Sequence, residues 1–319
     1  MMKVFVSAQL PEITVNKLQA AGLDVTMYSG ETLISHAELL AAVTDVDFLI
    51  TPLSTQVDRE IIDGAPKLKL IANFGAGFNN IDFTYARSKN IPVTNTPMVS
   101  TNAVAEVTLG LILALSHRIV EGDMLMRTTG FPGWSPLFFL GHEIAGKTLG
   151  IVGMGNIGQA VAQKARGLSM KVNYWQHHQL ADPQERSLGA HYVSMDELLQ
   201  TSDYISINAP LNDSNFHQFN AAAFKQMKST AALINVGRGP IVDEAALVAA
   251  LQAGEIGGAA LDVYEHEPKV TAGLTAMKNV ILTPHLGNAT VEARNAMGNI
   301  VADNVLAVAA QQAPQYVIN

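Results

Sequence analysis

The sequence predicts an α/β protein with two doubly wound parallel sheets. Short apolar segments alternate with helix-like segments from the first residues, which is the pattern of the βα units that build a parallel sheet. In the second half the apolar segments are almost continuous, as expected of strands that helices cover on both faces. A chain of 319 residues also exceeds the usual size of one hydrophobic core, so two domains are expected.

The first hundred residues form the first βα series, with turns marked by Gly and Pro. After IPVTNTP a long helical pattern runs through Leu125, and Thr101 or Asn102 is a plausible N-cap for this one helix. The strand segments of the series are KVFVSA, DVTMYS, DFLIT and KLKLIANFG, and its helical segments are PEITVNKLQAAG and SHAELLAAV.

The second βα series begins after TTGFPGWSPLFFLGHEIAG, a stretch rich in Gly, Pro and aromatic residues. Beyond its last strand, the segment from Asn288 to Ala310 is rich in Ala and Val at helical spacing, and we expect this helix to pack on the first domain. The strand segments are KTLGIVGMG, KVNYWQ, YISINAP, AALINVG, GGAALDV and NVILTPH.

The composition excludes several classes of protein. Hydrophobic residues make up 48% and charged residues 15%, so the chain can bury a large core and is not a disordered type. A formal net charge of -8 argues against a nucleic-acid partner. Without cysteine there is no disulfide, thiol catalysis or thiolate zinc site. The histidines have no ligand-like spacing, so we predict no metal.

The sequence has no pattern of export or membrane insertion. The apolar stretch at the N-terminus is too short and too interrupted for a secretory signal. The apolar run over 103–116 carries Glu106, which is unfavourable in a membrane span. We therefore expect a cytoplasmic protein that contacts no membrane.

A glycine loop in the second series carries the clearest motif. Gly153, Gly155 and Gly158 have the spacing G-x-G-x-x-G between a predicted strand and a predicted helix. The first Gly allows a tight turn, the second a close approach of a pyrophosphate and the third close helix packing, while the helix N-terminus attracts the anion. In this context the loop predicts a dinucleotide-binding domain of the Rossmann type, whereas a plain structural turn is the less favoured alternative.

The acidic residue that usually follows such a loop is missing. An NAD site commonly has Asp or Glu about 20 residues further on, where it binds the adenosine ribose and repels a 2′-phosphate. Here the position is Gln176, followed by His177 and His178, and all three side chains can donate hydrogen bonds to a phosphate. We therefore predict NAD(P)(H) as cofactor, with a slight preference for NADP(H). The alternative is that these are ordinary polar residues and either cofactor binds.

Three polar stretches follow strands of the same domain: NVGRGPIVDE, LDVYEHEP and TPHLGNAT. Because the carboxyl ends of parallel strands line the ligand crevice, Arg238, Glu267 and His285 are expected to converge on one site. Taken alone, each residue could be an exposed side chain without function or a member of an ion pair, and His285 could be a histidine of the core. Their common position at strand ends favours a functional site.

With these stretches the chain resembles the D-isomer-specific 2-hydroxyacid dehydrogenase family over nearly its whole length. The resemblance implies a flavodoxin-like substrate domain, 1–99 with 287–319, and a Rossmann cofactor domain, 100–286, inserted into it. It also implies a homodimer and catalytic roles for Arg238, Glu267 and His285. The matching motifs are FGAGFNNID, NTPMVSTNAVAEVTLGLILALSHRI, GKTLGIVGMGNIGQAVA, INAPL, NVGRGPIVDEAALVAAL, ALDVYEHEP and LTPHLGNAT.

The chemistry of the three side chains suits hydride transfer to a 2-oxo acid. Arg238 can hold the carboxylate and the carbonyl oxygen with its fork of donors. His285, when protonated, can deliver a proton to that oxygen, and Glu267 favours the imidazolium and fixes the ring. In the reverse direction neutral His285 is the base.

The resemblance assigns further contacts. Backbone amides of Ala76 and Gly77 would bind the substrate carboxylate, and Leu53 would bound a small substrate pocket. The cofactor contacts it implies are Thr108 beside the nicotinamide ring, Asn156 and Ile157 at the pyrophosphate, Pro210 at the adenosine, Val236 along the ribose and Asp262 at the nicotinamide carboxamide. Simple turns, a core Thr and a capping Asp are the alternatives.

The substrate is expected to be a small, unphosphorylated 2-oxo acid such as glyoxylate or hydroxypyruvate. The loop LITPLSTQVD has no positive charge, whereas phosphoglycerate dehydrogenases, which the chain also resembles, commonly have an arginine there. D-3-phosphoglycerate dehydrogenase remains an alternative, as does a non-catalytic dinucleotide sensor like the family's corepressors. Trp134, Phe138 and Phe139 form an apolar cluster that serves either a subunit interface or the core.

Overall fold

The computed structural model describes all residues from 1 to 319, and they form two compact units. Unit 1 consists of Met1–Ser100 and Ala289–Asn319, and unit 2 is Thr101–Asn288. Each unit contains one wholly parallel sheet with helices on both faces, so the predicted α/β fold class is confirmed.

Unit 1 has a five-stranded sheet in the order β2-β1-β3-β4-β5, which is the flavodoxin-like order. Every neighbouring pair of strands is parallel. The strands are β1 Lys3–Val6, β2 Asp24–Met27, β3 Phe48–Pro52, β4 Leu70–Phe74 and β5 Val93–Thr94. The helices are α1 Glu12–Ala20, α2 His36–Ala42, α3 Arg59–Asp63, α4 Phe83–Ser88 and α12 Val291–Ala309.

Short polar residues cap four of the five helices of unit 1. Ser35 forms a capping box with Glu38 at the start of α2, and the side chains of Asp58 and Asp82 cap α3 and α4. The predicted C-terminal helix is α12, which Thr290 caps. Its apolar face, including Met297, Val301 and Val305, packs with residues of β1, β3 and β4 in one core cluster.

Unit 2 has a seven-stranded sheet in the order β12-β11-β10-β9-β6-β7-β8, which contains the strand order of a Rossmann domain. Its two core clusters lie on opposite faces, one with α5 and α7 and the other with α9, α10 and α11. The strands are β6 Thr148–Val152, β7 Lys171–Trp175, β8 Ala190–Tyr192, β9 Tyr204–Ile207, β10 Ala232–Asn235, β11 Gly258–Leu261 and β12 Val280–Leu282. The helices are α5 Thr101–Ser116, α6 Ile119–Thr128, α7 Asn156–Gly167, α8 Asp182–Leu188, α9 Met195–Thr201, α10 Ala221–Gln226 and α11 Glu244–Ala253.

The prediction of one long helix after IPVTNTP is wrong, because the structure has two helices, α5 and α6, in this segment. They meet at an angle of 62°, and the backbone of Arg118 is left-handed between them with φ of 56°. The guanidinium of Arg118 binds Glu121 in the first turn of α6, which holds the bend. Thr101 and Asn102 both lie inside α5 rather than before it.

No single helix combines the length and the apolar composition that a membrane span requires. Helices α5 and α6 reach that length only when they are counted together across their bend.

Candidate active site

Arg238, Glu267 and His285 all lie on loops at the carboxyl edge of the sheet in unit 2. Arg238 follows β10, Glu267 follows β11 and His285 follows β12, and these three strands are neighbours. Nδ1 of His285 lies 3.2 Å from Oε2 of Glu267. The structure therefore brings together the acid-base pair that the sequence predicts.

The backbone of His285 is strained. Its φ is +55°, in the left-handed region that non-glycine residues rarely adopt. The amide of His285 donates to the carbonyl of Thr283 at 3.0 Å, which closes a tight turn after β12. With Nδ1 on Glu267, the Nε2 atom is the ring nitrogen that remains for a ligand, and the side chain is 35% exposed.

The carboxylate of Glu267 is held at both oxygens. Oε1 accepts the amide hydrogen of Tyr264 at 3.1 Å, while Oε2 faces His285. Partial burial raises the pKa of Glu267, but the hydrogen bond and charge of His285, the Tyr264 amide and the charge of Arg238 together lower it further, so the net pKa is below its usual value. Glu267 is therefore a carboxylate that orients the imidazole.

Arg238 has no carboxylate within ion-pair distance. Burial lowers the pKa of its guanidinium, and the charge of Glu267 only partly opposes this effect. One donor, Nη1, binds the carbonyl of Gly237 at 2.7 Å. The side chain of Asn235 fixes the loop, because it donates to the carbonyl of Arg238 at 3.1 Å and accepts from the amide of Gly237 at 3.0 Å. The remaining guanidinium donors have no partner in the protein, so they can bind an anion.

Asp262 builds the loop that carries His285. This residue is 1% exposed, and its carboxylate accepts from the hydroxyl of Thr283 at 2.6 Å, the amide of Leu286 at 2.6 Å and the amide of Gly287 at 2.8 Å. The sequence suggests a cofactor contact or a helix cap for Asp262. Its role in holding both sides of His285 was not predicted, because it depends on backbone donors about 20 residues away in the chain.

A second polar cluster, which no spacing in the sequence predicts, joins the neighbouring loops. The buried Glu244 accepts the amide of Glu265 at 2.8 Å, and the carboxylate of Glu265 accepts the amide of Glu244 at 3.2 Å. Glu265 also pairs with Nε2 of His217 at 2.7 Å, and Glu244 binds the hydroxyl of Thr271. The cluster joins the loops that follow β9, β10 and β11, so it stabilises the edge on which Arg238 and Glu267 lie.

The glycine loop has the shape that a pyrophosphate requires. Gly153 has φ of +93°, and a Cβ on Gly158 would lie 2.1 Å from the carbonyl oxygen of Gly153. A Cβ on Gly155, in contrast, would meet no atom within 4 Å, so the space above this residue is open. No side chain caps α7, which leaves the amides at Asn156 and Ile157 for an anion. These residues fit a dinucleotide.

Gln176 binds the glycine loop itself. Its Oε1 accepts the amide of Met154 at 3.0 Å, and its Nε2 donates to the carbonyl of His178 at 2.7 Å. One of the two Nε2 hydrogens is therefore already engaged, and the other remains as a donor. The imidazoles of His177 and His178 are the exposed donors at this end of β7.

The other expected cofactor positions differ in exposure. Thr108 is fully buried in α5, and its hydroxyl donates to the carbonyl of Val104 at 2.8 Å. Val236 is 9% exposed directly after β10, while Pro210 is exposed after β9 and its carbonyl accepts from Asn215 at 2.8 Å. Pro210 and Val236 thus lie at the carboxyl edge of the sheet, as a ligand site there requires.

Unit 1 presents two backbone amides at the carboxyl end of β4. Asn73 donates to the carbonyl of Gly77 at 2.6 Å, and Asn95 donates to the carbonyl of Ala76 at 2.7 Å. The carbonyls are thereby turned toward the protein. The amides of Ala76 and Gly77 have no hydrogen-bond partner, which is the arrangement expected of an anion-binding turn.

Leu53 borders this turn and carries no charge. A Cβ on Gly75 would lie 2.9 Å from Cγ of Leu53, so the leucine packs directly on the glycine. Asn80 joins the two loops, because it donates to the carbonyl of Thr55 at 2.9 Å and to Oδ1 of Asn73 at 3.3 Å. The result is a fixed pair of loops with an apolar side.

Comparison with known proteins identifies the family. The sequence pattern described as "D-isomer specific 2-hydroxyacid dehydrogenase, NAD binding domain" matches residues 109–287. A protein of Staphylococcus epidermidis that carries the provisional name 2-hydroxyacid dehydrogenase is 53% identical over the full length of both chains. The chain therefore belongs to the D-isomer-specific 2-hydroxyacid dehydrogenases, which are oxidoreductases that act on CH–OH groups.

Two solved structures extend the comparison. A protein of Thermus thermophilus has a TM-score of 0.95 and 37% identity, with all of both chains covered. An NADPH-dependent glyoxylate/hydroxypyruvate reductase of Sinorhizobium meliloti, solved with citrate, has a TM-score of 0.85 and 29% identity over 100% of this chain and 98% of its own. The two-unit fold is thus shared over the whole chain.

Proposed function

We propose that the protein reduces a small, unphosphorylated 2-oxo acid, such as glyoxylate or hydroxypyruvate, with NAD(P)H. The observation that carries this proposal is the contact of 3.2 Å between Nδ1 of His285 and Glu267, on loops next to the one that carries Arg238. A protein that only binds a dinucleotide would need no proton donor. An oxidoreductase that forms a hydroxyl group does need one.

Each of the three residues has a distinct role in the reduction. Arg238 holds the substrate carboxylate and polarises the carbonyl with its unpaired donors. His285 donates the proton from Nε2 to the carbonyl oxygen, while Glu267 keeps Nδ1 in place. The nicotinamide of a bound cofactor supplies the hydride that C2 receives. Overall, a 2-oxo acid, NAD(P)H and a proton are converted into a 2-hydroxy acid and NAD(P)+.

A small substrate is supported by the loops of unit 1. The amides of Ala76 and Gly77 suit a carboxylate, and Leu53 makes the adjoining side apolar. The loop after β3 contains no cation for a phosphate group. In this proposal unit 1 is the substrate domain and unit 2 is the cofactor domain.

Both NADPH and NADH are proposed as cofactors, with NADPH slightly favoured. The end of β7 lacks the carboxylate that would repel a 2′-phosphate, and the related Sinorhizobium meliloti enzyme is named NADPH-dependent. The preference is small because no arginine follows β7, and Gln176 already binds the amide of Met154 and the carbonyl of His178.

A homodimer is proposed for the assembled enzyme, through an exposed apolar surface of unit 2 that we call the arm, residues 119–140. Trp134 and Leu137 are 84% and 83% exposed, and such a concentration of apolar side chains is typical of an interface. A cavity of about 1040 Å³ between α5, α6 and the amino-terminal ends of β10, β11 and β12 adjoins the arm. Other exposed members are Ile119, Val120, Met124, Met126, Phe131, Phe138 and Leu140.

The test is the kcat/KM for glyoxylate, hydroxypyruvate and 3-phosphohydroxypyruvate, each with NADPH and with NADH at fixed ionic strength. We expect the first two substrates to be reduced and the phosphorylated one to be poor, with a cofactor ratio of roughly tenfold or less, which corresponds to about 1.4 kcal/mol. Efficient turnover of 3-phosphohydroxypyruvate would replace the proposal by a phosphoglycerate dehydrogenase. Cofactor binding without turnover of any 2-oxo acid would favour a sensor.

A further inference from the structure

Arg294 is a charged residue that the proposed reaction leaves without a task. It lies in the first turn of α12, four residues after the capping Thr290. A positive charge is unfavourable there, because the amino-terminal end of a helix carries a partial positive charge itself. The side chain is also half-buried, which adds a desolvation cost. Two costs at one position call for a compensating interaction.

No ion pair or hydrogen bond within the chain offsets these costs, although the ring of Phe74 lies within cation–π distance of the guanidinium. Arg294 has no carboxylate within ion-pair distance and its guanidinium donates no hydrogen bond, whereas Arg59, Arg118 and Arg127 each bind an acidic side chain. Burial lowers the pKa of Arg294, and no neighbouring charge offsets this effect. Arg238 is the one other arginine whose pKa lies below its usual value, and burial is the main cause there too.

The location of Arg294 indicates what it could bind. The central carbon of its guanidinium lies 5.8 Å from the centre of the Phe74 ring. Phe74 is the last residue of β4, and the turn with the free amides of Ala76 and Gly77 follows directly. None of the loops that follow the five strands of unit 1 contains Lys or Arg. Arg294 therefore supplies positive charge close to an edge whose loops contain no cation.

We propose that Arg294 is a substrate-capture residue, whose charge attracts the carboxylate of the 2-oxo acid to the amides of Ala76 and Gly77. The inference rests on the proposed reductase function and adds a specificity element to it. Attraction is needed because the chain has a formal net charge of -8, which disfavours the approach of an anion. The role differs from that of Arg238, which binds the substrate at the reacting centre, where it holds the carboxylate and polarises the carbonyl.

A residue that binds substrate and transition state equally changes KM rather than kcat. Replacement by glutamine removes the charge, so we expect R294Q to raise the KM for glyoxylate by roughly 3- to 10-fold with kcat within about twofold. The Ki of oxalate, a competitive dianion, should rise at least as much. R294K keeps the charge and should recover most of both effects. The salt dependence of kcat/KM should become weaker in R294Q than in the wild type.

Arg87→Gln is the matched control. Arg87 lies in α4 of the same unit, is exposed and has no ion-pair partner, so this variant removes the same charge elsewhere. Its KM and Ki should equal those of the wild type. An equal rise of KM and Ki in R87Q and R294Q would show that the effect depends on net charge alone, and it would overturn the proposal.

Other results also decide the question. A lower kcat at constant KM in R294Q, or no change in the Ki of oxalate, would show that Arg294 does not capture the substrate. If wild-type protein reduces neither glyoxylate nor hydroxypyruvate, the proposed function fails, and equilibrium binding of oxalate to wild type, R294Q and R87Q then tests the anion site separately. Equal oxalate affinities in all three would overturn the inference independently of activity.

Discussion

In the proposed reaction His285 is the general acid, so its replacement is the most specific test at the scale of a single residue. We expect His285→Ala to lower kcat by roughly 100- to 10,000-fold, because the general acid is lost. The dissociation constant of NADPH, measured by fluorescence titration, should change little. His191→Ala, at an exposed position of β8, is the control and should retain full activity. Near-normal reduction by the His285 variant would exclude the residue from the mechanism.

Glu267 gives a prediction for the dependence of stability on pH. Burial raises its pKa, but His285, the Tyr264 amide and Arg238 lower it more, so the folded-state pKa lies below the usual 4.5. Such a carboxylate stabilises the native state above the unfolded pKa, and this contribution is lost as the pH falls through the folded pKa. Glu267→Gln should therefore lower Tm at neutral pH, and the difference from wild type should shrink below about pH 4.5.

Thermal scans of both proteins across the acid range check this sign, with the exposed Glu143→Gln as a control. A difference in Tm that grows on acidification would contradict it.

The residue types at the site could be predicted from the sequence, but their local contacts could not. Arg238, Glu267 and His285 were identifiable because each follows an apolar strand segment. The hydrogen bonds of Gln176 with Met154 and His178 depend on side-chain torsions, which no spacing reveals. The same is true of Arg294, whose lack of a partner is visible only once the surrounding side chains are in place.

At the scale of elements, the loop after β12 depends on Asp262. Asp262→Asn turns the NH2 of its carboxamide toward at least one of three backbone or hydroxyl donors. That donor then loses its acceptor, which should destabilise the fold by about 1–3 kcal/mol. Because His285 would then shift, we expect kcat to fall roughly 100-fold. Chemical denaturation and steady-state kinetics measure the two effects.

The control is Asp243→Asn, which affects only the cap of α11, where Asp243 accepts the amide of Ala246 at 2.9 Å. This variant should keep its kcat. If D262N instead weakens NADPH binding and leaves kcat unchanged, Asp262 serves the cofactor rather than the loop.

Two glycines of the loop should respond differently to substitution: the Gly158 variant should lose stability, and the Gly155 variant should lose cofactor affinity. A Cβ at Gly158 would collide with the carbonyl of Gly153, so Gly158→Ala should destabilise unit 2 by about 1–3 kcal/mol. Gly155 has open space and a negative φ of -73°, so Gly155→Val should fold normally. It should weaken NADPH binding by roughly tenfold or more, because it blocks the backbone's approach to the pyrophosphate. Unaltered affinity in a folded G155V protein would place the cofactor elsewhere.

Elements with strong apolar patterns were predicted better than short or bent ones. The ten strand segments named from the sequence all contain a strand, but β5 and β8 have only two and three residues, too few to show a pattern. The break between α5 and α6 was missed because apolar spacing continues across it, while the bend is set by the backbone of Arg118 and its bond to Glu121.

At the scale of the whole molecule, the arm makes the oligomeric state testable. We expect light scattering coupled to gel filtration to give twice the mass of one chain. The double variant Trp134→Asp and Leu137→Asp should give a monomer, because two carboxylates cannot be buried unpaired in an apolar interface. Asp at the exposed Leu33 of unit 1 is the control. A wild-type monomer at micromolar concentration would contradict the proposed dimer.

One measurement tests the proposed reaction most directly: reduction of hydroxypyruvate with NADPH, followed by chiral analysis of the glycerate formed. Membership of the D-isomer-specific family and the Arg238, Glu267 and His285 site predict stoichiometric oxidation of NADPH and D-glycerate as product. Formation of L-glycerate, or no oxidation of NADPH or NADH by a folded protein that binds the cofactor, would contradict the account.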